Sequence, residues 1–574
     1  MSNQRLGIEG HRVRPSRGFY SISACTLPLT GVCFALLAAC GPTRSSQLGS
    51  STAGSAPLPV AAAGATPSAA AGSGAGGSAG QAATAIESGG SAGSSSGGSG
   101  GSSAGAAGVG GLSAGSSLPL PTQLIISGPN DLWHPGTLTE LEGGDADPIV
   151  DGSTTYQTFD GFGGTFNELS WRYLSLLSES DRAKALQLLF GADGARFVFG
   201  RLPIGANEYA ADRYTLDMTD GNTPDPQLEK FSIQRDLTGL IPYVKAALAL
   251  KPNLRFLAAP WTPPTWMKTN GDYDGGTMKD DATTLAAFAL YLSKYVQEYA
   301  KQGINVQTIA VQREPSFTEN SPSCLWSQNT YTKFVQTFLP ETFSAQNIHA
   351  QLYLGLMENN TSGSTDAALV DAAMNDPKLM LFFSGFGFEW GMVDQVARVT
   401  PSNLPILQTE HLPGNFPWLS SFQKDKAPND YVYATESWKL ISQWLKAGAT
   451  AYITKHLVLD SVGQGLSTRN WPQNSLLVVD TATHALTVTP AFYVFQHFSR
   501  FIAPGARRKA ALTQLSTLDV LAFENPDRSV ATVMFNSGAE RELTVATGGT
   551  KYRFTLPANS FATVFKAAPA PIAR

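Results

Sequence analysis

From about residue 158 the chain alternates short apolar runs with longer segments whose hydrophobic residues recur every three to four positions. The runs read as strands: "TFDGFGGTF" (158–166), "RFVFGRLPIG" (196–205), "LRFLAAPW" (254–261), "VQTIAVQRE" (306–314), "AQLYLGLME" (350–358), "LMLFFSGFGFEW" (379–390), "LPILQTE" (404–410) and "TAYITKHLVLD" (450–460). The clearest helix runs from Asp281 to Gly303, with Leu285, Phe288, Leu292, Tyr295, Val296 and Tyr299 on one face. Ser178 and Asp181 resemble an N-terminal cap for a helix that ends at Gly191. Apolar strands joined by helical crossovers form a parallel sheet buried on both faces, and eight of them close a (β/α)8 TIM barrel. A doubly wound sheet is the structural rival, but no glycine-rich nucleotide turn opens a helix after any of these strands.

After Asp480 the period changes. One helix-like segment, "PAFYVFQHFSRFI", precedes the short β-rich runs "DVLAFEN", "SVATVMFN", "RELTVAT", "KYRFTL" and "FATVFK", separated by turn signals. This predicts a fused antiparallel β-sandwich side domain over 481–574, and "TQLIISG" within 120–157 is a candidate to supply strands to it. The catalytic barrel is then expected over 158–480.

The N-terminus follows neither period. Residues 1–39 hold a basic region with Arg5, Arg12, Arg14 and Arg17, then a mainly apolar stretch, and read as an export signal. Leu37-Ala38-Ala39-Cys40 looks like a bacterial lipoprotein cleavage box with Cys40 as the lipidated residue; the alternatives are an ordinary signal peptide or an N-terminal membrane anchor. Residues 40–119, almost all Gly, Ala and Ser, cannot bury a core and read as a disordered linker reaching on the order of 50 Å. The expectation is an exported body tethered to the cell envelope by a lipid anchor, at the outer membrane or cell surface.

Composition narrows the chemistry. A formal charge of -5 over 574 residues argues against nucleic acid as the main partner. With Cys25 and Cys33 in the leader, Cys40 and Cys324 make no disulfide framework, and Cys324 reads as an inert buried thiol. The seven histidines show no metal-ligand spacing, so neither metal nor cofactor is expected. Two acids stand out by position. Glu314 ends the fourth strand and Glu410 the seventh, at the rim where barrel enzymes place their reactive groups. Paired carboxylates at one barrel mouth are what glycoside hydrolysis requires.

The motifs "FDGFGGTFNELSW", "RLPIGANEY", "FSIQRD", "AAPWTPPTWMKTNG", "VQREPSF", "QTE" and "QHFSRFIAPGARR" occur in the order seen in glycoside hydrolase family 30. From roughly Tyr156 to the C-terminus the chain resembles these glucosylceramidase-like enzymes. The resemblance implies a retaining barrel enzyme with a β-sandwich, acting on a glycolipid or a β-linked polysaccharide without a cofactor. It implies Glu314 as acid/base and Glu410 as nucleophile, with Arg201 near them. It puts Trp261 in the sugar pocket, where an aromatic face suits a pyranose, and Glu208 where relatives hold an acid that binds sugar hydroxyls. The bland alternatives are an ion-pairing role for Arg201 and mere packing for Trp261.

The chain departs from the family at the pocket mouth. Arg313 replaces an Asn before the acid/base, Glu389-Trp390 replaces His or Gln before Trp, and Lys455-His456 replaces Trp-Asn. A cation about 4 Å from Glu314 would favour its ionised form by around 4 kcal/mol at an effective dielectric of 20, weakening it as a proton donor. Either an Arg313–Glu389 pair offsets this, or Arg313 and Lys455 receive a substrate carboxylate such as a uronate. Two rivals to simple hydrolysis stand beside these readings. One is a tethered carbohydrate-binding protein impaired in turnover, and the other is a transglycosylase using the same residues.

Overall fold

The computed structural model describes residues 120–468 and 471–570. The expectations for the leader, the linker and Cys40 lie outside these residues. Among those described, no helix is long and apolar enough to cross a membrane.

Eight parallel strands close a barrel: Gly161–Thr165, Phe199–Pro203, Arg255–Ala259, Thr308–Ala310, Gln351–Met357, Gly385–Glu389, Ile406–His411 and Ala451–Thr454, the last pairing with the first. The first strand is glycine-rich because it lies hard against the second. A Cβ on Gly163 would stand 2.2 Å from the Phe199 carbonyl oxygen. The lower barrel is plugged by side chains from several strands, among them Phe199, Leu257, Tyr353, Leu407 and Ile453. Helices surround it as the periodicity predicts. Ala282–Lys301 is capped by Asp281, whose carboxylate accepts from the Thr284 N–H at 2.9 Å, and Glu179–Phe190 is capped by Ser178, whose Oγ accepts from the Asp181 N–H at 3.1 Å.

All eight barrel strands are shorter than their apolar runs, and four of the runs also cross into another element or lose their ladder. The run at 158–166 spans two sheets: a strand Ile149–Phe159 ends, the chain turns at Asp160, and the first barrel strand begins at Gly161. The run at 306–314 holds ladder pairing only over Thr308–Ala310. The run at 379–390 starts inside the short helix Pro377–Met380. The run at 450–460 breaks after Thr454, and Val458–Asp460 joins a separate three-stranded sheet with Leu477–Val479 and Leu486–Val488. Hydrophobicity marks burial here, whereas a strand also needs a neighbour in register.

The side domain is one ten-stranded, mostly antiparallel sheet curled on itself. Leu124, Ile126, Val520 and Met534 from one half face Val545, Tyr552 and Phe554 from the other. The strand Gln123–Ser127 pairs with Ser560–Lys566, so the two ends of the described chain meet in it. One member, Ala506–Leu512, escaped the hydrophobic reading because Arg507, Arg508 and Lys509 sit in its middle. Arg508 lies 3.7 Å over the Tyr156 ring, and the Lys509 ammonium donates to the Gly152 carbonyl at 3.0 Å.

Barrel and sandwich share an aromatic seam. Trp438, on helix Val432–Ala447, packs against Phe498, Phe535 and Phe561 at ring distances of 5.2, 6.0 and 5.7 Å. Its indole N–H donates to Asp519 at 2.9 Å. Replacing Trp438 with Ala should cost about 3–5 kcal/mol, read as a lower urea midpoint. A change under about 1 kcal/mol would mean the seam does not couple the two parts.

Candidate active site

Glu314 reaches the barrel mouth through an unusual backbone. Ladder pairing stops at Ala310, yet the Arg313 N–H donates to Pro260 O at 2.9 Å and the Glu314 N–H to Leu356 O at 2.7 Å. The segment is thus pinned to the strands on both sides. Gln312 tightens it: its amide donates to Trp261 O at 2.6 Å and accepts from the Trp326 indole at 3.3 Å. Glu314 itself has φ 48, the left-handed region, directly before Pro315. Such a conformation in a non-glycine residue costs on the order of 1–3 kcal/mol and persists only where its surroundings impose it.

Glu410 is aimed by a bulge. Phe388 pairs with Gln408, but the next residue, Glu389, pairs with Glu410. The extra residue breaks the two-residue alternation, so Glu410 shares the interior with Leu407, three positions earlier. Together these features bring Glu314, Glu389 and Glu410 to one point, with one carboxylate oxygen from each within 4.8 Å of the other two.

Three cations thread this cluster. Arg201, fully buried, donates to Glu410 Oε2 at 3.0 Å, to Thr409 O at 2.8 Å and to Glu389 Oε1 at 3.1 Å. Lys455 bridges Glu208 at 2.6 Å and Glu410 at 2.8 Å. Arg313 is the hub. Its guanidinium contacts Glu314 closely, Glu410 at 3.2 Å, Glu389 at 3.6 Å, Glu319 at 3.7 Å and Glu208 at 3.9 Å.

These contacts drive the acids apart in proton affinity. Burial, reinforced by Glu389, Glu319 and Glu410, pushes Glu314 well above the ordinary carboxylate range despite Arg313. Burial acts the same way on Glu410, but Arg313, Lys455 and Arg201 outweigh it and hold that carboxyl well below the range. Glu208 is brought to about 2 because Lys455 and Arg313 overcome its burial. Burial and the Glu410 charge raise Glu389 to about 7 against Arg313 and Arg201. One acid holds its proton and the other stays charged, the division of labour that acid-assisted displacement needs.

The other sequence candidates fall in different places. Trp261 is buried with the Arg201 guanidinium 4.5 Å over its ring, so that face is closed to a sugar. His456 is buried, lies 4.2 Å from the Tyr209 ring and contacts Gln473 at 2.6 Å; burial lowers it to about 3, so it is neutral. Cys324 is buried and pushed up to about 12 by burial, consistent with an inert thiol. Trp390 lines the cleft, an open space of about 720 Å³ that also holds Glu314, Glu410, Glu208, Arg313 and Lys455.

Sequence reading missed the rest of that wall. Trp390, Phe416 and Trp418 lie nearly parallel, with ring distances of 5.0 to 5.9 Å and interplanar angles of 4 to 19°. Trp471 meets Trp418 edge-on at 5.2 Å. The signal was the loop "PGNFPWLSSF" after the seventh strand, whose aromatics have no periodic place in a core. Glu208 Oε2 and the indole nitrogens of Trp261 and Trp471 are buried without a hydrogen-bond partner among the described residues.

A barrel whose mouth joins a charged and a protonated carboxyl in one cleft has the architecture of a glycoside hydrolase. Residues 159–502 match the glycosyl hydrolase family 30 TIM-barrel domain and 505–564 its beta sandwich domain, so the chain belongs to glycosyl hydrolase family 30 and is a glycoside hydrolase. It is 28% identical over 439 residues to putative glucosylceramidase 1 of Caenorhabditis elegans, covering 72% of this chain and 82% of that one. It is 24% identical over 368 residues to endo-1,6-beta-D-glucanase neg1 of Aspergillus fumigatus, covering 61% and 71%. The solved endo-beta1,6-glucanase BT3312 has the same fold, with a TM-score of 0.68 at 20% identity over 78% of this chain and all of that one.

Arg313 makes a sharp prediction. Its charge lowers the proton affinity of both Glu410 and Glu314, so Arg313→Asn should move both limbs of the kcat/KM pH profile upward. The acidic limb follows Glu410 and the basic limb follows Glu314. Limbs that stay in place, or move down, would contradict the assignment.

Proposed function

We propose that this chain is a retaining β-glycosidase acting on β-glucosyl bonds. The observation that carries the reading is the approach of Glu314 and Glu410 oxygens to within 4.8 Å with opposite proton preferences. Retaining enzymes hold the two carboxyls about 5–5.5 Å apart, whereas inverting ones leave about 6.5–9.5 Å for a water.

Glu410 attacks the anomeric carbon as the glycosidic C–O bond breaks, and the departing oxygen takes the proton of Glu314. Water then gives a proton to Glu314 and attacks the same carbon, releasing Glu410. Arg201 and Lys455 hold the Glu410 oxygens in place from two sides. Arg313 contacts both acids, so a sugar seated between them must displace that guanidinium from at least one of them.

Relatives named glucosylceramidase and endo-1,6-beta-D-glucanase share a glucosyl donor, which supports glucose as the sugar. The charges support a neutral sugar as well. Arg313 and Lys455, the cations a uronate would need, are already held by Glu208, Glu314 and Glu410. One observation favours the impaired binder as a second reading: Arg313 occupies the gap between the two acids.

A panel of aryl β-glucoside, xyloside, galactoside, fucoside and glucuronide decides between them. The glucoside should be cleaved fastest, Glu410→Ala should fall to background, and Glu314→Gln should lose about 10²–10⁴-fold on poor leaving groups. A faster glucuronide would assign Arg313 and Lys455 to a substrate carboxylate. Silence throughout, with saturable oligosaccharide binding, would establish the binder.

A further inference from the structure

We propose that Trp390, Trp418 and Trp471 form a stacking subsite for a second pyranose ring, beside the sugar that meets Glu410, so that the substrate is an oligosaccharide or polysaccharide. The proposal rests on the glycosidase reading above and names the substrate class of that same cleft.

Three loops build the subsite, one from the end of each of the last three barrel strands. Trp390 directly follows the sixth strand, Trp418 lies in the loop after the seventh, and Trp471 in the segment after the eighth. All three line the cleft that holds Glu314 and Glu410. Phe416 supports Trp390 from the side, with ring planes only 4° apart, and Trp471 buttresses Trp418 edge-on. Trp390 also stacks on Trp418 at 5.2 Å, so the rings brace one another.

Packing does not account for it. Trp418 is 55% exposed and its neighbour Leu419 is 45% exposed. A large ring held half in water by three aromatic neighbours, at the rim of a cleft, is suited to a ligand with one apolar face. A pyranose has such a face in its axial C–H groups, and hydroxyls around its edge. The cleft supplies both kinds of partner, since Glu358, Gln464, Ser467 and Gln473 line it together with the tryptophans. An acyl chain would bring hydrocarbon against these polar groups, Glu358 among them, at a desolvation cost with no return. Ring faces beside polar groups are the pairing that a pyranose satisfies with its C–H face and its hydroxyls.

The test compares the full-length protein with Trp418→Ala and Trp418→Phe, using β-glucosyl fluoride, octyl β-glucoside and gentio-, laminari- and cellotetraose. The quantity read is the kcat/KM of the best tetraose divided by that of the glucosyl fluoride, whose leaving group has no ring to stack. Trp418→Ala should lower this ratio about ten-fold, and Trp418→Phe should restore most of it. Trp418 is half exposed, so a folding defect is not the expected cost, and such a defect would lower both rates together and leave the ratio intact. An unchanged ratio overturns the proposal. So does a loss confined to octyl glucoside, which would make the surface an acyl-chain rest.

If the wild-type protein turns over none of these compounds, the glycosidase reading fails and the subsite is judged by binding. Tryptophan fluorescence titrated with the same tetraoses should then saturate, with an affinity about ten-fold weaker in Trp418→Ala. A titration without saturable change overturns the subsite itself.

Discussion

Buried charge governs this structure. Glu208, Glu314, Glu389 and Glu410 are all less than a tenth exposed and crowd one barrel mouth. Carboxylates so placed cannot all ionise unless cations share the space. Arg201, Arg313 and Lys455 supply three positive charges, and the cluster divides unequally around them. Glu410, touched by all three cations, and Glu208, touched by two, stay charged. Glu389 is poised near neutral pH, and Glu314, with one cation, is pushed toward its protonated form by burial and neighbouring acids. The asymmetry in proton affinity between two chemically identical side chains follows from burial and from where the three cations lie.

That arrangement depends on backbone features of small extent. A single extra residue in the seventh strand turns Glu410 inward, and a left-handed φ before Pro315 sets Glu314 opposite. Each is held by contacts to neighbouring strands, so the barrel serves as the frame that over-determines two locally unfavourable conformations. The sandwich strengthens the frame from one side through Trp438 and its aromatic partners.

Much of the fold was legible in the chain. Strand–helix alternation implied the barrel, the change of period near Asp480 implied the sandwich, and two acids at strand ends implied the chemistry. What was not legible depends on pairing. A bulge appears only when a strand meets its neighbour, so the periodicity of "LPILQTE" could not tell which way Glu410 points. The strand Ala506–Leu512 was hidden by its own cationic side chains, whose stems lie along the sheet. Arg313, Glu389 and Lys455 stood out as departures from relatives, and an Arg313–Glu389 pair was among the expectations. The full network was not legible, since Arg313 meets Glu314 and Glu319 on its own segment but also Glu208, Glu389 and Glu410 from distant parts of the chain. One face of Trp261 is covered by Arg201, a contact between distant parts of the chain that spacing does not reveal.

The central claim is that Glu410, held ionised by three cations, forms a covalent bond to sugar. A 2-deoxy-2-fluoro β-glucosyl fluoride slows the second step more than the first, so the intermediate should accumulate. Intact-mass analysis should then show one added fluoroglucosyl group, and peptide mapping should place it on Glu410. An unlabelled protein that still hydrolyses β-glucosides, or a label carried by any other residue, would contradict the account.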